Sequence, residues 1–280
     1  MKWYKILLHD LRCGLLRARY LLIPILFLIP CLSCFFSMQN MNVTCSWAGY
    51  LMYCFRGIPR IHLKTASATF ILPINWLLLM AGPLLLNFDY FLNDITNAGQ
   101  QVIIRSTSRT GWYISKCVWN CCSTLLFFFI GWGSVAIFTV LTNGHFTMEV
   151  SAEVCQLLFA DIVNEGNAPI TSVSMTQYII SVLSLPMLSI ASLNLLQMTL
   201  ALYVKPILSF IGVMCILIIS LFWYSPFALA NGAMLLRSGQ FVVDGINAKD
   251  AAMIGDCVLL ICTALGSIKF KKLDILGLEE

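Results

Sequence analysis

The sequence predicts an all-α, polytopic membrane protein: six transmembrane helices, an amphipathic interfacial helix before the first, and a short re-entrant segment before the last. Three observations carry this. The 280 residues are 59% hydrophobic and only 11% charged, with a mean hydropathy of +0.86, far too little charge to cover the surface of a water-soluble domain. Six apolar runs, at about 20–37, 67–87, 115–142, 175–203, 206–224 and 251–268, have the length that crosses a hydrocarbon core about 30 Å thick. Basic residues are also unevenly divided. Twelve fall on one side (Lys2, Lys5, Arg12, Arg17, Arg19, Arg105, Arg109, Lys116, Lys205, Lys269, Lys271, Lys272) and five on the other (Arg56, Arg60, Lys64, Arg237, Lys249). The inside bias of Lys and Arg then puts both termini in the cytoplasm, as an even number of spans requires. The chain reads as a single transmembrane domain over 1–280.

Residues 1–19 open it. Ile6, Leu7, Leu8, Leu11, Leu15 and Leu16 recur at three-to-four spacing, with Lys5, His9, Arg12 and Arg19 opposite and Trp3 and Tyr4 at headgroup level. This pattern fits an amphipathic helix lying on the cytoplasmic membrane surface, which also serves as a topogenic anchor. The first span contains Pro24 and Pro30 and lacks a small-residue cleavage site after it, so it reads as retained. The loop 38–66 carries Arg56, Arg60, His62 and Lys64 on the side where basic residues are scarce. It is either an ordinary solvated loop or a basic surface for anionic headgroups or an acidic ligand. Cys45 and Cys54 share it, and an oxidising exterior would permit a disulfide between them. The second span holds Pro73, Asn75 and Pro83 and is expected to bend.

A polar, basic stretch then separates the second and third spans: Gly99-Gln100-Gln101 through Ile104-Arg105-Ser106, Ser108-Arg109 and Trp112 to Ser115-Lys116, with Asp89 and Asp94 before it. The next loop, 143–173, has Glu149, Glu153, Asp161 and Glu165 and no Lys or Arg, which places it outside. Span four is about 28 residues long, with Pro186 near its middle and Asn194 and Gln197 three apart on one face. Lys205-Pro206 is a turn so short that spans four and five must be antiparallel neighbours. Residues 225–240 are apolar but too short to cross, and so re-enter the outer leaflet or lie on it. Asp256 sits near the outer end of span six.

The sequence has no Gly-x-x-x-x-Gly-Lys-Ser/Thr phosphate loop, no His-Glu-x-x-His and no Gly-x-Ser-x-Gly, so enzymatic chemistry within this chain, including ATP hydrolysis, is not expected. The net charge of +4 is distributed by topology and is no nucleic-acid signal. The polar residues inside spans are the amides Asn75, Asn194 and Gln197. They serve either as interhelical hydrogen-bonding groups or as the wall of a path for amphipathic cargo.

The stretch Gly99-Gln100-Gln101, Ile104-Arg105-Ser106, Ser108-Arg109 and Trp112-x-x-Ser115-Lys116 resembles the cytoplasmic loop of type-2 ABC transporter permeases of Gram-positive bacteria. The basic first helix, the six spans and the re-entrant stretch before the last agree with it in outline. The resemblance implies that residues 88–114 hold a coupling helix docking onto a separate ATP-binding subunit, through Asp94, Gln100, Gln101, Arg105, Arg109 and Trp112. It further implies two copies of that ATPase, which would carry ATP and Mg, a second permease (self or paralogue), a cell-membrane location, and export of an antimicrobial peptide, drug or lipid. Two other readings stay open. An ion-coupled carrier would need a titratable residue such as Asp256 in its path. A non-transporting immunity or sensor subunit would bind its ligand at the basic loop containing Arg56, Arg60 and Lys64.

Overall fold

The computed structural model describes residues 7, 8, 10–12, 14, 18–41, 43–60, 72–88, 90, 94, 108–164, 170 and 172–272. The described residues are helical or in turns, with no strand among them. Eight helices follow in chain order: α1 (Ala18–Gln39), α2 (Trp47–Cys54), α3 (Ile74–Asn87), α4 (Arg109–Leu141), α5 (Ala152–Asn164), α6 (Met175–Leu200), α7 (Pro206–Phe222) and α8 (Ala248–Lys272). Residues 7, 8, 10–12 and 14 are helical too.

Four of these helices, α1, α4, α6 and α8, are long and apolar enough to cross a membrane, and the protein is membrane-embedded. They coincide with the first, third, fourth and sixth predicted spans. At the second and fifth positions stand shorter apolar helices of 14 and 17 residues, about 21 and 26 Å long at 1.5 Å per residue. The shortfall at α3 has a local cause: Pro73, at the N-cap, sets the helix start at Ile74, and 67–71 of the predicted run lie outside the described residues.

α4 runs to 33 residues, about 50 Å, so it projects well beyond a 30 Å hydrocarbon core. Its N-terminus is fixed by Ser108, whose hydroxyl accepts the Gly111 amide at 3.2 Å, an N-cap that satisfies one of the orphan donors of the first turn. Pro186 shapes α6. Lacking an N–H, it cannot bond back one turn, and residues Ile179–Ser184 widen into a π-helical turn in which the Leu185 amide reaches Ile180 O. Ser184 Oγ bonds Ile179 O at 3.0 Å.

α6 is the most buried of the four long helices and α8 the least. α6 packs on α8, α4, α7 and α3, while α1 packs on α4, α2 and α3. The main core lies around α1, α2, α4 and α6, and a second, smaller core joins Trp112, Tyr113 and Cys117 of α4 to Leu195 and Met198 of α6 and to Cys262 and Phe270 of α8. Gly131 lies where α4 packs on Phe27 of α1. A Cβ there would lie 2.2–2.6 Å from three ring atoms of Phe27, and Phe27 is itself packed on Phe127 with ring centroids 5.3 Å apart. Gly131→Ala is therefore expected to overpack this crossing and cost about 1–3 kcal/mol, read as a lower thermal midpoint in detergent. Gly133→Ala, where an added Cβ meets nothing within 4 Å, is the matched control.

Residues 225–240 form no membrane-length hairpin. They coil through two 3-10 turns, Leu229–Ala233 and Leu235–Arg237, buried against α2, α6, α7 and α8. The Leu235 and Leu236 amides donate to Phe55 O and Arg56 O at 3.0 and 3.1 Å, and Trp76 Nε1 donates to Ala233 O at 3.1 Å. Irregular backbone at this place is thus satisfied by protein, the condition under which it is tolerated in a membrane.

Candidate functional site

The N-terminal part of α4 carries a cluster of buried polar groups. Lys116 is fully buried. Its Nζ lies 2.6 Å from Asp10 Oδ1 and 2.7 Å from Asp94 Oδ2, and Ser115 Oγ donates to the other Asp10 oxygen. The ammonium also sits 4.7 Å from the Trp112 ring centroid and 5.2 Å from that of Tyr90, within cation–π range. Tyr90 in turn stacks on Trp119 with centroids 3.7 Å apart.

Three segments distant in sequence meet on this one ammonium: the N-terminal helical residues through Asp10, the stretch after α3 through Asp94, and α4 itself. Among the described residues, two carboxylates face this one ammonium. Burial, opposed by Lys116, pushes the Asp10 carboxyl above its ordinary range. Gly14, one turn after Asp10, is buried beside it. A Cβ at Gly14 would lie 2.2 Å from Trp119 Nε1 and 2.9 Å from Tyr90 Cζ, so only a bare backbone fits there. Leu8, on another face, is 62% exposed, leaving an apolar surface directed away from the protein, as an interfacial helix requires.

The base beneath the site is aromatic. Trp112 and Tyr113 stack on Phe270 of α8 with centroids 5.0 and 5.9 Å apart, Tyr113 Oη is 3.1 Å from Thr199 Oγ1 of α6, and Arg109 donates to Lys271 O at 3.4 Å. The root of α4 is thereby fastened to α6 and α8.

From Lys116 a polar stripe continues along α4 at helical spacing through Asn120, Ser123 and Thr124. Asn120 Nδ2 reaches Asn194 O at 3.4 Å, Asn194 Nδ2 reaches Thr124 Oγ1 at 3.1 Å, and Gln197 Nε2 reaches Leu84 O at 3.1 Å. Ser123 Oγ is 2.7 Å from Tyr20 Oη and 2.9 Å from Asn87 Oδ1. Among the described residues, Asn120 Oδ1, Asn194 Oδ1 and Gln197 Oε1 have no hydrogen-bond partner. An unmet buried acceptor costs about 1–3 kcal/mol, so this layer favours the arrival of a hydrogen-bond donor.

Of the residues singled out in the sequence, Asp94, Arg109 and Trp112 come together around α4. Gln100, Gln101 and Arg105 lie outside the described residues. Asn194 and Gln197 share the amide layer, whereas half-buried Asn75 sits in the first turn of α3, nine residues and about 14 Å of helix from the Leu84 carbonyl that Gln197 contacts. Asp256 is exposed on α8. In the basic loop, Arg56 Nε donates to Leu158 O at 2.8 Å and Arg60 lies 5.0 Å over the Tyr224 ring, while Lys64 is outside the described residues. Cys45 and Cys54 are free, buried thiols. Cys54 ends α2 and Cys45 stands two residues before its start; the eight-residue helix between them is about 12 Å long, which exceeds the Cα separation a disulfide spans, so no bridge joins them.

Asp10, Lys116 and Asn120 were not among the predicted site residues. Asp10 had one local signal, as the only acidic residue in a basic amphipathic segment. Asn120 had another, as an amide inside an apolar run.

A family model described as "Protein of unknown function (DUF2705)" matches residues 21–276. No curated protein and no solved structure matches the chain.

Proposed function

We propose that this chain, which belongs to the DUF2705 family of proteins of unknown function, is the membrane-spanning permease subunit of an ATP-driven ABC exporter. In this reading α3 and α7 complete a set of six spans, their short lengths met by local thinning of the bilayer. Both termini are cytoplasmic, and 225–240 enters the outer leaflet. A separate ATP-binding subunit, present in two copies and holding ATP and Mg, docks on the stretch 88–114. A second permease, identical or paralogous, completes the path. The cargo is amphipathic: an antimicrobial peptide, a drug or a lipid.

The observation that carries the reading is the 2.7 Å ion pair between Asp94 and the buried Lys116. It ties the stretch expected to receive the ATPase to the root of α4. Any displacement of that stretch must either move α4 or break a buried ion pair, which is strongly unfavourable. The polar face of α4 then leads from Lys116 through Asn120 to Asn194 and Gln197, so the same helix that receives the push borders the unmet amide oxygens. ATP binding on the partner would shift the spans between inward- and outward-opening states through this connection.

The test is co-purification. The tagged chain, isolated in mild detergent from its native host, is expected to bring with it an ATP-binding subunit and measurable ATPase activity. An Arg105→Glu/Arg109→Glu version, folded as judged by its gel-filtration profile, is expected to lose both. A wild-type preparation that carries neither ATP-binding protein nor ATPase activity overturns the reading.

A further inference from the structure

We propose that the exposed face of α8 is the contact surface for a membrane-spanning helix of a different polypeptide, which presents a Lys or Arg to Asp256. The inference rests on the embedding of α8 in the membrane and stands independently of the exporter reading.

α8 turns Gly255, Cys262, Gly266 and Phe270 towards the protein and leaves Met253, Asp256, Leu260, Ile261, Leu265 and Ile268 exposed. All of these but Asp256 are apolar, as a face turned to lipid requires. The depth of Asp256 makes it costly there. Charged residues mark both ends of the helix, Lys249 and Asp250 at one and Lys269, Lys271 and Lys272 at the other. Lys249 and Lys269 stand twenty residues apart, about 30 Å of helix, which equals the thickness of a hydrocarbon core. Asp256 lies seven residues inside Lys249, about 10 Å in. Moving the boundary to Asp256 itself would leave only the twelve residues 257–268, about 18 Å, to cross the core.

A carboxylate at that depth is strongly unfavourable against lipid, and its side chain is too short to reach the interface as Lys and Arg do. Intramembrane acids therefore turn into a bundle or pair with a partner. Within this chain Asp256 does neither. It is exposed, and among the described residues no hydrogen bond or ion pair reaches its carboxylate.

The occupant of this face must bring a donor at matching depth, and a cation is the strongest donor to a carboxylate. A second copy of the chain does not supply one. Two copies inserted in the same sense are related by an axis along the membrane normal, so equal residues lie at equal depth and Asp256 would face its own counterpart. No other described surface carries a cation at this level. Lys116 and Arg237 are buried and engaged. The other described Lys and Arg residues stand at helix ends, in loops or in the N-terminal helical residues. The occupant is thus a different membrane protein, and within the exporter reading it is a paralogous second permease.

The experiment is photocrosslinking in the membranes of the native host. A benzoylphenylalanine is placed at Leu260 or at Met253, one turn to either side of Asp256 on its face, and the adducts are mapped by mass spectrometry. The expected adduct joins this chain to a different polypeptide, at a membrane span that holds a Lys or Arg. Asp256→Lys is expected to lower its yield about tenfold, and changing the partner's basic residue to Asp in the same cells is expected to restore it. Restoration by the swapped pair excludes misfolding as the cause of the loss. Adducts with lipid alone, with a second copy of this chain or with a span that lacks Lys and Arg overturn the proposal. So does a yield that Asp256→Lys leaves unchanged, or a loss that the swap does not restore.

Discussion

Lys116→Met is expected to destabilise the protein by about 3–5 kcal/mol, the range for removing one partner of a buried ion pair. The substitution keeps much of the side-chain volume but leaves two carboxylates, Asp10 and Asp94, facing each other in a site walled by Trp112 and Tyr90. The measurement is the thermal midpoint in detergent, together with protease sensitivity of the N-terminal segment, which Asp10 holds. The triple variant Lys116→Met/Asp10→Asn/Asp94→Asn is expected to recover most of the loss, because replacing a whole buried ionic group is far cheaper than orphaning part of it. A single variant as stable as the wild type would show that the three segments do not meet on Lys116.

The same variant has a defined pH dependence. Burial already pushes the Asp10 carboxyl above its ordinary value of 3.8, with Lys116 opposing the shift. A folded-state pKa above the unfolded one means that the native state binds the extra proton. The associated stability is therefore present at pH values below 3.8 and is lost as pH rises through the folded pKa. Without Lys116 the opposing attraction is gone, and the folded value moves further up. Lys116→Met is thus expected to regain stability as the pH falls from neutral, and more steeply than the wild type. Adding Asp10→Asn is expected to flatten that response.

What hydropathy reads in such a chain is the membrane, and what it passes over is the chemistry that crosses between segments. The four long helices were legible because each is a continuous apolar run. The start of α4 was not: the apolar run begins near residue 115, whereas the Ser108 cap starts the helix at Arg109, and three of the six residues between, Arg109, Trp112 and Tyr113, form the base of the site. Lys116 was read as a topogenic charge and as the end of the polar stretch, and its burial was not foreseen, since its partners stand 106 residues before it and 22 residues before it and no local period links them. Asn194 and Gln197 were visible as amides in an apolar helix. Their neighbour across the interface, Asn120, was screened by the cysteines and aromatics around it. The fate of Arg237 was hidden in the same way, for it was counted as one of five external charges and is 1% exposed.

Arg237→Met is expected to produce the second large loss of stability, several kcal/mol, since a charge-assisted hydrogen bond contributes about 1.5–3 kcal/mol and this guanidinium makes several. Its Nη1 donates to Ser220 O and Asn231 Oδ1, both at 2.6 Å, Nη2 to Leu221 O at 2.6 Å and Pro59 O at 3.5 Å, and Nε to Ile58 O at 3.1 Å. Ser220 and Leu221 belong to the last turn of α7, whose carbonyls have no helical partner and where the helix dipole favours a cation. Arg237 therefore caps α7 and ties it to the chain after α2 and to the turn at Asn231. Burial pulls its guanidinium down to about 10, which leaves it charged at neutral pH and attracted to those carbonyls. Methionine would orphan five acceptors together. Lysine, with three donors in place of a five-donor fork, is expected to restore only part of the loss. Arg60→Met is the control, because Arg60 is exposed and meets Tyr224 only through its ring face, and it is expected to leave the thermal midpoint nearly unchanged. Equal midpoints for Arg237→Met and Arg60→Met would mean that the 225–240 segment is held by its apolar contacts alone. A large difference would identify Arg237 as the group that holds this irregular segment against the last turn of α7.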